Sequence, residues 1–356
     1  MIITRYLTRQ ILQVTAAATF ILLAVVVLGR FLKYLAQASQ GEIDPGVLAL
    51  LMSYRIPEFI QLILPLALLL SILLAYGRMY AENEMTVLAA CGLSARRLLA
   101  ITLVSATLVA LLVGLLTFML TPWGLVNTDS LLESQKELNE FDVMVPGLFQ
   151  NISRGKRTTY TEDIVNEEMQ NVFMHDSESG RVTVASTAIP SEDEEGRIVL
   201  FTRGSITESE ADSAAYQLTR FAEMGVRIPE RGISIDINVE ERTMTTTALW
   251  QSDEPSHIAE LQWRISLVLL IPILTLMAIP LSRVSPRQGR FAKMVPAVFL
   301  YILYFGLLLV SRDLTAAGEL PAVMGLWWVH GVFLLLGLLL FTGRLSSLTL
   351  PGFLTR

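Results

Sequence analysis

Six apolar runs constrain this chain more than anything else in it. Each is about long enough to cross a hydrocarbon core as a helix, which takes roughly 20 residues. They lie near 11–35, 58–77, 98–121, 264–282, 294–311 and 322–343. None alternates with period two, so outer-membrane barrel strands are not expected. The first run follows Arg5 and Arg9 and is too long for a signal-peptide core, so it reads as an uncleaved first span. Composition agrees: 53% of residues are hydrophobic and 17% charged, against roughly 45–50% and 25% in soluble domains. Mean hydropathy is +0.53. These values exclude an ordinary soluble enzyme and a disordered chain, and the acidic balance excludes a nucleic-acid binder. The single cysteine, Cys91, leaves no intrachain disulfide. His175, His257 and His330 lie too far apart in sequence to show metal-ligand spacing.

The net charge of −6 hides a partition. Between Trp123 and Trp263 there are 11 Lys+Arg against 26 Asp+Glu, a net of −15, while the flanks carry +9. The chain therefore reads as three parts: spans 1–3 over 1–122, an acidic polar domain over 123–263, and spans 4–6 over 264–356. One set of short segments collects Arg5, Arg9, Arg78, Arg96, Arg97, Arg283, Arg287, Arg290, Lys293, Arg344 and Arg356, opposed only by Glu82 and Glu84. The other short loops hold Arg30, Lys33, Arg55 and Arg312. The positive-inside rule then puts both termini in the cytoplasm and the polar domain outside, with Trp123 and Trp263 bracketing that domain at the interface.

Prolines punctuate the spans. Pro122 is expected to end the third, and Pro296 and Pro321 to open the fifth and sixth, where a missing N–H costs little. Pro65, Pro272 and Pro280 should kink the helices that hold them. Arg55, Pro57 and Glu58 interrupt the run 46–77. This predicts a short interfacial helix at 46–54, a break, and then the second span, with Arg55 and Glu58 paired at the outer headgroups. The alternative is an intramembrane ion site.

The middle part reads as β. Thr158–Val165, Asn171–His175, Arg181–Ser186, Arg197–Arg203 and Tyr216–Met224 are rich in Val, Ile, Thr, Tyr and Phe. Glu178–Gly180 and Ser191–Gly196 look like turns. Short strands at this spacing predict a sandwich or jelly roll. Asp129–Glu140 reads as a short helix leading in, and 240–262 carries no strong pattern.

No G-x-x-x-x-G-K-[ST], H-E-x-x-H or G-x-S-x-G string occurs, so the chain is not its own ATPase and shows no catalytic constellation. The loop Tyr80–Arg97, YAENEMTVLAACGLSARR, is more informative. Asn83 is placed to cap a short helix, Glu84 suits its positive end, and Gly92 suits its C-terminus. Met85, Leu88 and Ala89 form an apolar stripe, and Ser94 is placed to cap the third span. A helix this short needs a surface to lie on. That surface is either the membrane or a groove on a soluble partner, whose basic groups Glu82 and Glu84 would meet. Arg30 and Lys33, three residues apart, share one helix face at the outer end of the first span. They read either as snorkelling anchors or, with Arg312, as a clamp for anionic lipid headgroups. Cys91 reads as a packing residue.

Several strings resemble one family: MIITRYLTRQ, PEFIQLILPLALLLSILLAYGRMY, YAENEMTVLAACGLS, AELQWRISL and PLSRVSPRQGR look like the lipopolysaccharide export permeases of the LptF/LptG type. The resemblance runs through the whole chain, with ACGLS and PRQGR its most specific parts. It implies an α-helical polytopic inner-membrane protein with six transmembrane helices and an inserted periplasmic β jelly-roll domain. It also implies a non-catalytic permease subunit with a sister permease, LptG, a cytoplasmic ATPase dimer, LptB, that binds the ATP and magnesium, and LptC as acceptor of the lipid. By position, Glu82, Glu84, Met85, Leu88 and Gly92 would form the element that couples to the ATPase. Arg30, Lys33 and Arg312 would face lipid A phosphates. Because the −15 domain repels phosphate-rich headgroups, acyl chains are expected inside the jelly roll and headgroups outside it. The rival readings are a lipoprotein-handling or other ABC-type mechanotransmitting permease, a secondary transporter and a membrane scaffold. The first places its large domain after the first span, whereas here it follows the third; the second needs ionisable residues at the midplane.

Overall fold

The computed structural model describes residues 2–39, 43–137, 146–152, 157–165, 168–177, 179–193, 196–209, 216–227, 240–283 and 294–343. The loop cations Arg287, Arg290, Lys293, Arg344 and Arg356 lie outside the described residues. The chain divides into two compact units: Met1–Leu28, Tyr54–Val126 and Asn238–Arg356 make one, and Gly29–Ser53 and Asn127–Ile237 the other.

The helices run in the order α1 Ile2–Ser39, α2 Leu48–Ala81, α3 Glu84–Ala90, α4 Ala95–Leu115, α5 Thr121–Glu137, α6 Glu240–Thr243, α7 Thr246–Trp250, α8 Pro255–Leu281, α9 Met294–Ala316 and α10 Trp327–Phe341. Five segments are long and apolar enough to cross a membrane: Ile2–Ser39, Pro45–Ala81, Ala95–Ser134, Pro255–Leu281 and Met294–Ala316. The sixth apolar run forms a helix of 15 residues, shorter than expected. The reason lies in Pro321, after which the chain takes a series of turns instead of starting a helix. Gln262 holds that turn, donating to the Ala322 carbonyl (2.6 Å) and accepting from the Leu326 N–H (3.0 Å).

Two prolines do not break the helices that hold them. The expected break at Arg55–Glu58 is absent: α2 runs continuously through Pro57 and Pro65, preceded only by a 3-10 turn at Pro45–Val47. A proline inside a helix costs about 3 kcal/mol, and the long buried face of α2 outweighs it. Pro122 does not end the third helix either. A π turn over Leu116–Leu120 joins α4 to α5. Pro122 cannot donate to the carbonyl four residues back, that of Phe118, and the Thr246 hydroxyl donates to it instead (3.3 Å). The lead-in helix expected at 129–140 is the continuation of this long segment, and its residues 138–140 lie outside the described residues. At 240–262, where no pattern was legible, α6, α7 and the first turns of α8 form, with Pro255 at the start of α8.

In the first unit α2 and α8 are the most buried helices. Their core includes Leu68, Ile72, Tyr76, Leu267, Leu270 and Leu274. Polar side chains inside this apolar core find partners on neighbouring helices, as they must where water is absent. Thr15 and Ser71 share a 2.7 Å hydrogen bond, as do Tyr76 and Thr102. His330 bridges Tyr304 (2.6 Å) and Ser266 (2.8 Å), linking α8, α9 and α10. Gly124 lets the two long helices touch: a Cβ there would overlap the Tyr54 carbonyl oxygen.

The second unit holds an antiparallel sheet of seven strands: β1 Gln150–Ile152, β2 Arg157–Tyr160, β3 Asp163–Val165, β4 Glu168–Asp176, β5 Arg181–Asp193, β6 Gly196–Ser209 and β7 Tyr216–Arg227. Their order is β1-β2-β4-β5-β6-β7, with β3 also on β4. Thr158–Val165 is thus two strands, and β5 and β6 run further than expected, through Pro190 and into much of the turn expected at Ser191–Gly196. Gly180, at φ 64, makes the β4–β5 turn. Buried positions run across the strands in rows. Met169, Ala188, Phe201 and Met224 form one row, and Val172, Ala185, Gly204 and Phe221 another. Between these rows the ladder is interrupted on every strand, and Asn171 and Arg203 take positive φ (49° and 50°). This transverse crease shifts the in–out alternation while keeping both rows on one face. At Gly204 the Phe221 ring occupies the space a side chain would need.

Candidate functional site

The loop singled out by its pattern folds as a seven-residue helix, α3, packed on the first unit's core. Met85 is buried and Leu88 partly so. Gly92, at φ 93, ends the helix as expected: its N–H bonds the Ala89 carbonyl and the Leu93 N–H bonds that of Leu88, both at 3.0 Å. These two bonds form the Schellman arrangement. Ser94 caps α4 by accepting from the Arg97 N–H (3.3 Å). Asn83 departs from expectation. It sits at the N-cap but in the left-handed region, φ 61, and its side chain makes no capping bond.

Glu82, Glu84 and Leu88 line one cleft of about 450 Å³, together with Ile2, Tyr6 and Val87. The Tyr6 hydroxyl donates to Glu84 (3.2 Å), and Glu82 lies 4.0 Å from Arg78. The cleft thus combines two carboxylates with exposed apolar groups, Ile2 at 87% and Val87 at 61% exposure. Such a surface suits a protein partner better than water. Its share from α1 was missed. The apolar pair Ile2–Ile3 ahead of Arg5 was the available signal, hidden by its reading as the entry to a span.

A second constellation gathers on α2, α6, α8 and α9. The Glu58 carboxylate takes Arg55 (2.7 Å) and also Arg242. The pairing of Arg55 with Glu58 was expected and the addition of Arg242 was not. The Glu260 carboxylate takes Arg264 (3.0 Å) and Arg312 (2.8 Å). Arg264, 1% exposed, also donates to Thr246 Oγ1 and to the Glu241 and Arg242 carbonyls. The Arg312 guanidinium lies 5.2 Å from the centroid of Trp263, which is itself buried against Phe305. Trp263 is therefore a core residue here, whereas Trp123 is 54% exposed and meets Tyr54 edge-on. Buried ions persist only when paired and bonded on all sides, and each carboxylate here has two guanidinium partners. The network ties the segment 240–250 to the helices. Sequence spacing linked Arg55 to Glu58, but not Glu58 to Arg242, 184 positions away.

Arg30 and Lys33 are both exposed, one turn apart on α1. They belong to the second unit and Arg312 to the first.

A family model described as "Lipopolysaccharide export system permease LptF/LptG" matches residues 5–343. The lipopolysaccharide export system permease protein LptF of Escherichia coli strain K12 is 30% identical over 346 residues, which cover 96% of this chain and 94% of that one. The protein of the same description from Shigella flexneri matches with the same identity and coverage.

Proposed function

The chain belongs to the LptF/LptG family and is a permease subunit of lipopolysaccharide export, and from this premise we propose how its parts divide the work. It is a multi-pass inner-membrane protein with an inserted antiparallel sheet domain, and a permease subunit rather than an enzyme. In our reading α10 and the turn before it make the sixth span, both termini are cytoplasmic, and the sheet lies in the periplasm. The division into 1–122, 123–263 and 264–356 follows from that. The crease supports the jelly-roll reading, since strands that bend at one level allow a single sheet to wrap around an apolar interior. That interior would carry acyl chains.

Lipopolysaccharide export implies other Lpt components. We assign to this chain a sister permease LptG, an LptB ATPase dimer that binds ATP and magnesium, and LptC. Closure of the ATPase moves α3 as a lever. Met85 and Leu88 fix the lever to the core, Gly92 ends it, and Glu82 and Glu84 face basic groups of the ATPase. One observation carries this assignment: α3 is anchored on one side and presents carboxylates and apolar groups on the other. Glu84→Arg is expected to abolish ATP-driven transport by the purified complex while the subunit stays membrane-inserted. Full transport by that variant would refute the assignment.

Arg30, Lys33 and Arg312 remain our candidates for lipid A phosphates. The first two are exposed, and Arg312 is held in place by Glu260. A photocrosslinker at Lys33 should capture labelled lipopolysaccharide without ATP. Capture of phospholipid alone would refute the clamp.

A further inference from the structure

The first four turns of α1 and the middle of α4 enclose a groove of about 780 Å³, within the range of small-ligand sites. Its wall changes character along its length. Arg5, Thr8 and Arg9 line one end; Leu12, Ala16 and Val104 line the other. On a helix these α1 residues share one face, and Arg5 to Ala16 spans roughly 16 Å.

Three observations separate this groove from an ordinary basic helix end. First, neither Arg5 nor Arg9 has a carboxylate partner among the described residues, whereas Arg55, Arg242, Arg264 and Arg312 all do. Second, no acidic residue lines the groove. Third, Thr8, in the wall between the arginines, has a buried hydroxyl oxygen with no hydrogen-bond partner among the described residues. A buried hydroxyl left unpaired costs about 1–3 kcal/mol, so its presence here calls for an acceptor from outside the chain.

We propose that this groove binds one anionic phospholipid, its phosphate between Arg5, Arg9 and the Thr8 hydroxyl and an acyl chain along Leu12, Ala16 and Val104. Charge complementarity selects an anion. The apolar end selects one that carries a hydrocarbon chain, which a free phosphate lacks. A headgroup that also bears an amine would offset the attraction. The proposal rests on the orientation given above, in which the arginines face the cytoplasmic leaflet. There they stand on the opposite side of the membrane from the exported lipid, so the occupant is a resident lipid and not the cargo. Basic pockets between transmembrane helices on that side bind acidic headgroups for the same electrostatic reason.

The test uses the full permease complex, delipidated in detergent and titrated with phosphatidylglycerol or phosphatidylethanolamine, with bound lipid counted by native mass spectrometry. Wild type should hold one phosphatidylglycerol in preference to phosphatidylethanolamine. Arg5→Gln and Arg9→Gln should each weaken it about fivefold, and together about 25-fold. Val104→Trp keeps the charge and fills the apolar end, and should weaken binding at least as much as one arginine change. It also decides the matter if the arginine variants fail to insert. Equal retention of the two lipids, full retention by the double arginine variant, or full retention by Val104→Trp would each overturn the proposal. Labelling of Cys91 by an impermeant maleimide reports the orientation independently. If Cys91 proves periplasmic while phosphatidylglycerol binding still follows the arginines, the orientation falls and the site stands.

Discussion

The Tyr6 hydroxyl donates to the Glu84 carboxylate across 3.2 Å, joining two residues 78 positions apart. It fixes the first residue of α3 against the first turns of α1. The two helices therefore present one surface, and α3 does not hang as a free loop. Tyr6→Phe removes this bond and leaves the ring in place. A single hydrogen bond of this kind contributes on the order of 1 kcal/mol. ATP-driven transport by the reconstituted complex should fall about fivefold, well short of the complete loss expected for Glu84→Arg. Unchanged transport would show that the bond has no part in coupling.

Glu260 is shared by two arginines, so removing the acid and removing one base are unequal insults. Glu260→Gln leaves two guanidinium groups short of their counter-ion, one of them, that of Arg264, fully buried. The expected loss is about 3–5 kcal/mol. Arg312→Met leaves the Glu260–Arg264 pair intact and keeps an apolar contact on Trp263, so its loss should be smaller. Thermal unfolding of the detergent-solubilised complex should rank the variants in that order. The reverse order would mean that Arg312, rather than Glu260, holds the cluster together.

Gly124→Ala should also be felt. Its Cβ would overlap the Tyr54 carbonyl oxygen, whereas a Cβ at Gly114 would meet only the Val268 and Phe118 side chains at ordinary contact distances. Overpacking of this kind costs about 1–3 kcal/mol. Gly124→Ala is expected to lower the midpoint of thermal unfolding and Gly114→Ala to leave it nearly unchanged. Equal midpoints would show that the helix pair yields at no cost.

Cys91 is exposed at the end of α3. An impermeant maleimide should label it in inverted membrane vesicles and not in intact spheroplasts. Labelling in spheroplasts would place α3 on the periplasmic side and remove it from reach of any cytoplasmic ATPase.

The long apolar helices were legible because burial in lipid writes itself as uninterrupted hydrophobicity, a signal that needs no knowledge of neighbours. The coupling helix was legible for a local reason too, since Gly92 and Ser94 act within a few residues of their own positions. Asn83 misled because its residue type suits both a cap and the left-handed region, and nothing in the string says which one the backbone takes. Pro57 and Pro122 misled in the same way: a proline's cost is local, but what outweighs it is a buried face in one case and the hydroxyl of Thr246 in the other. Arg242 was invisible as a site residue because its partner lies on another helix, and Glu260 because its two partners acquire meaning only once α8 and α9 pack together.

The π turn at Leu116–Leu120 amounts to one surplus residue wound into an otherwise regular helix. Deleting any one of those five residues would restore ordinary winding and rotate every side chain from Thr121 onward by about 100°. Thr121 would lose its bond to Gln61, and Gly124 would no longer face Tyr54. The angular phase of the outgoing helix is thus held by chain length alone, so a deletion there should be far more damaging than any substitution at the same five positions.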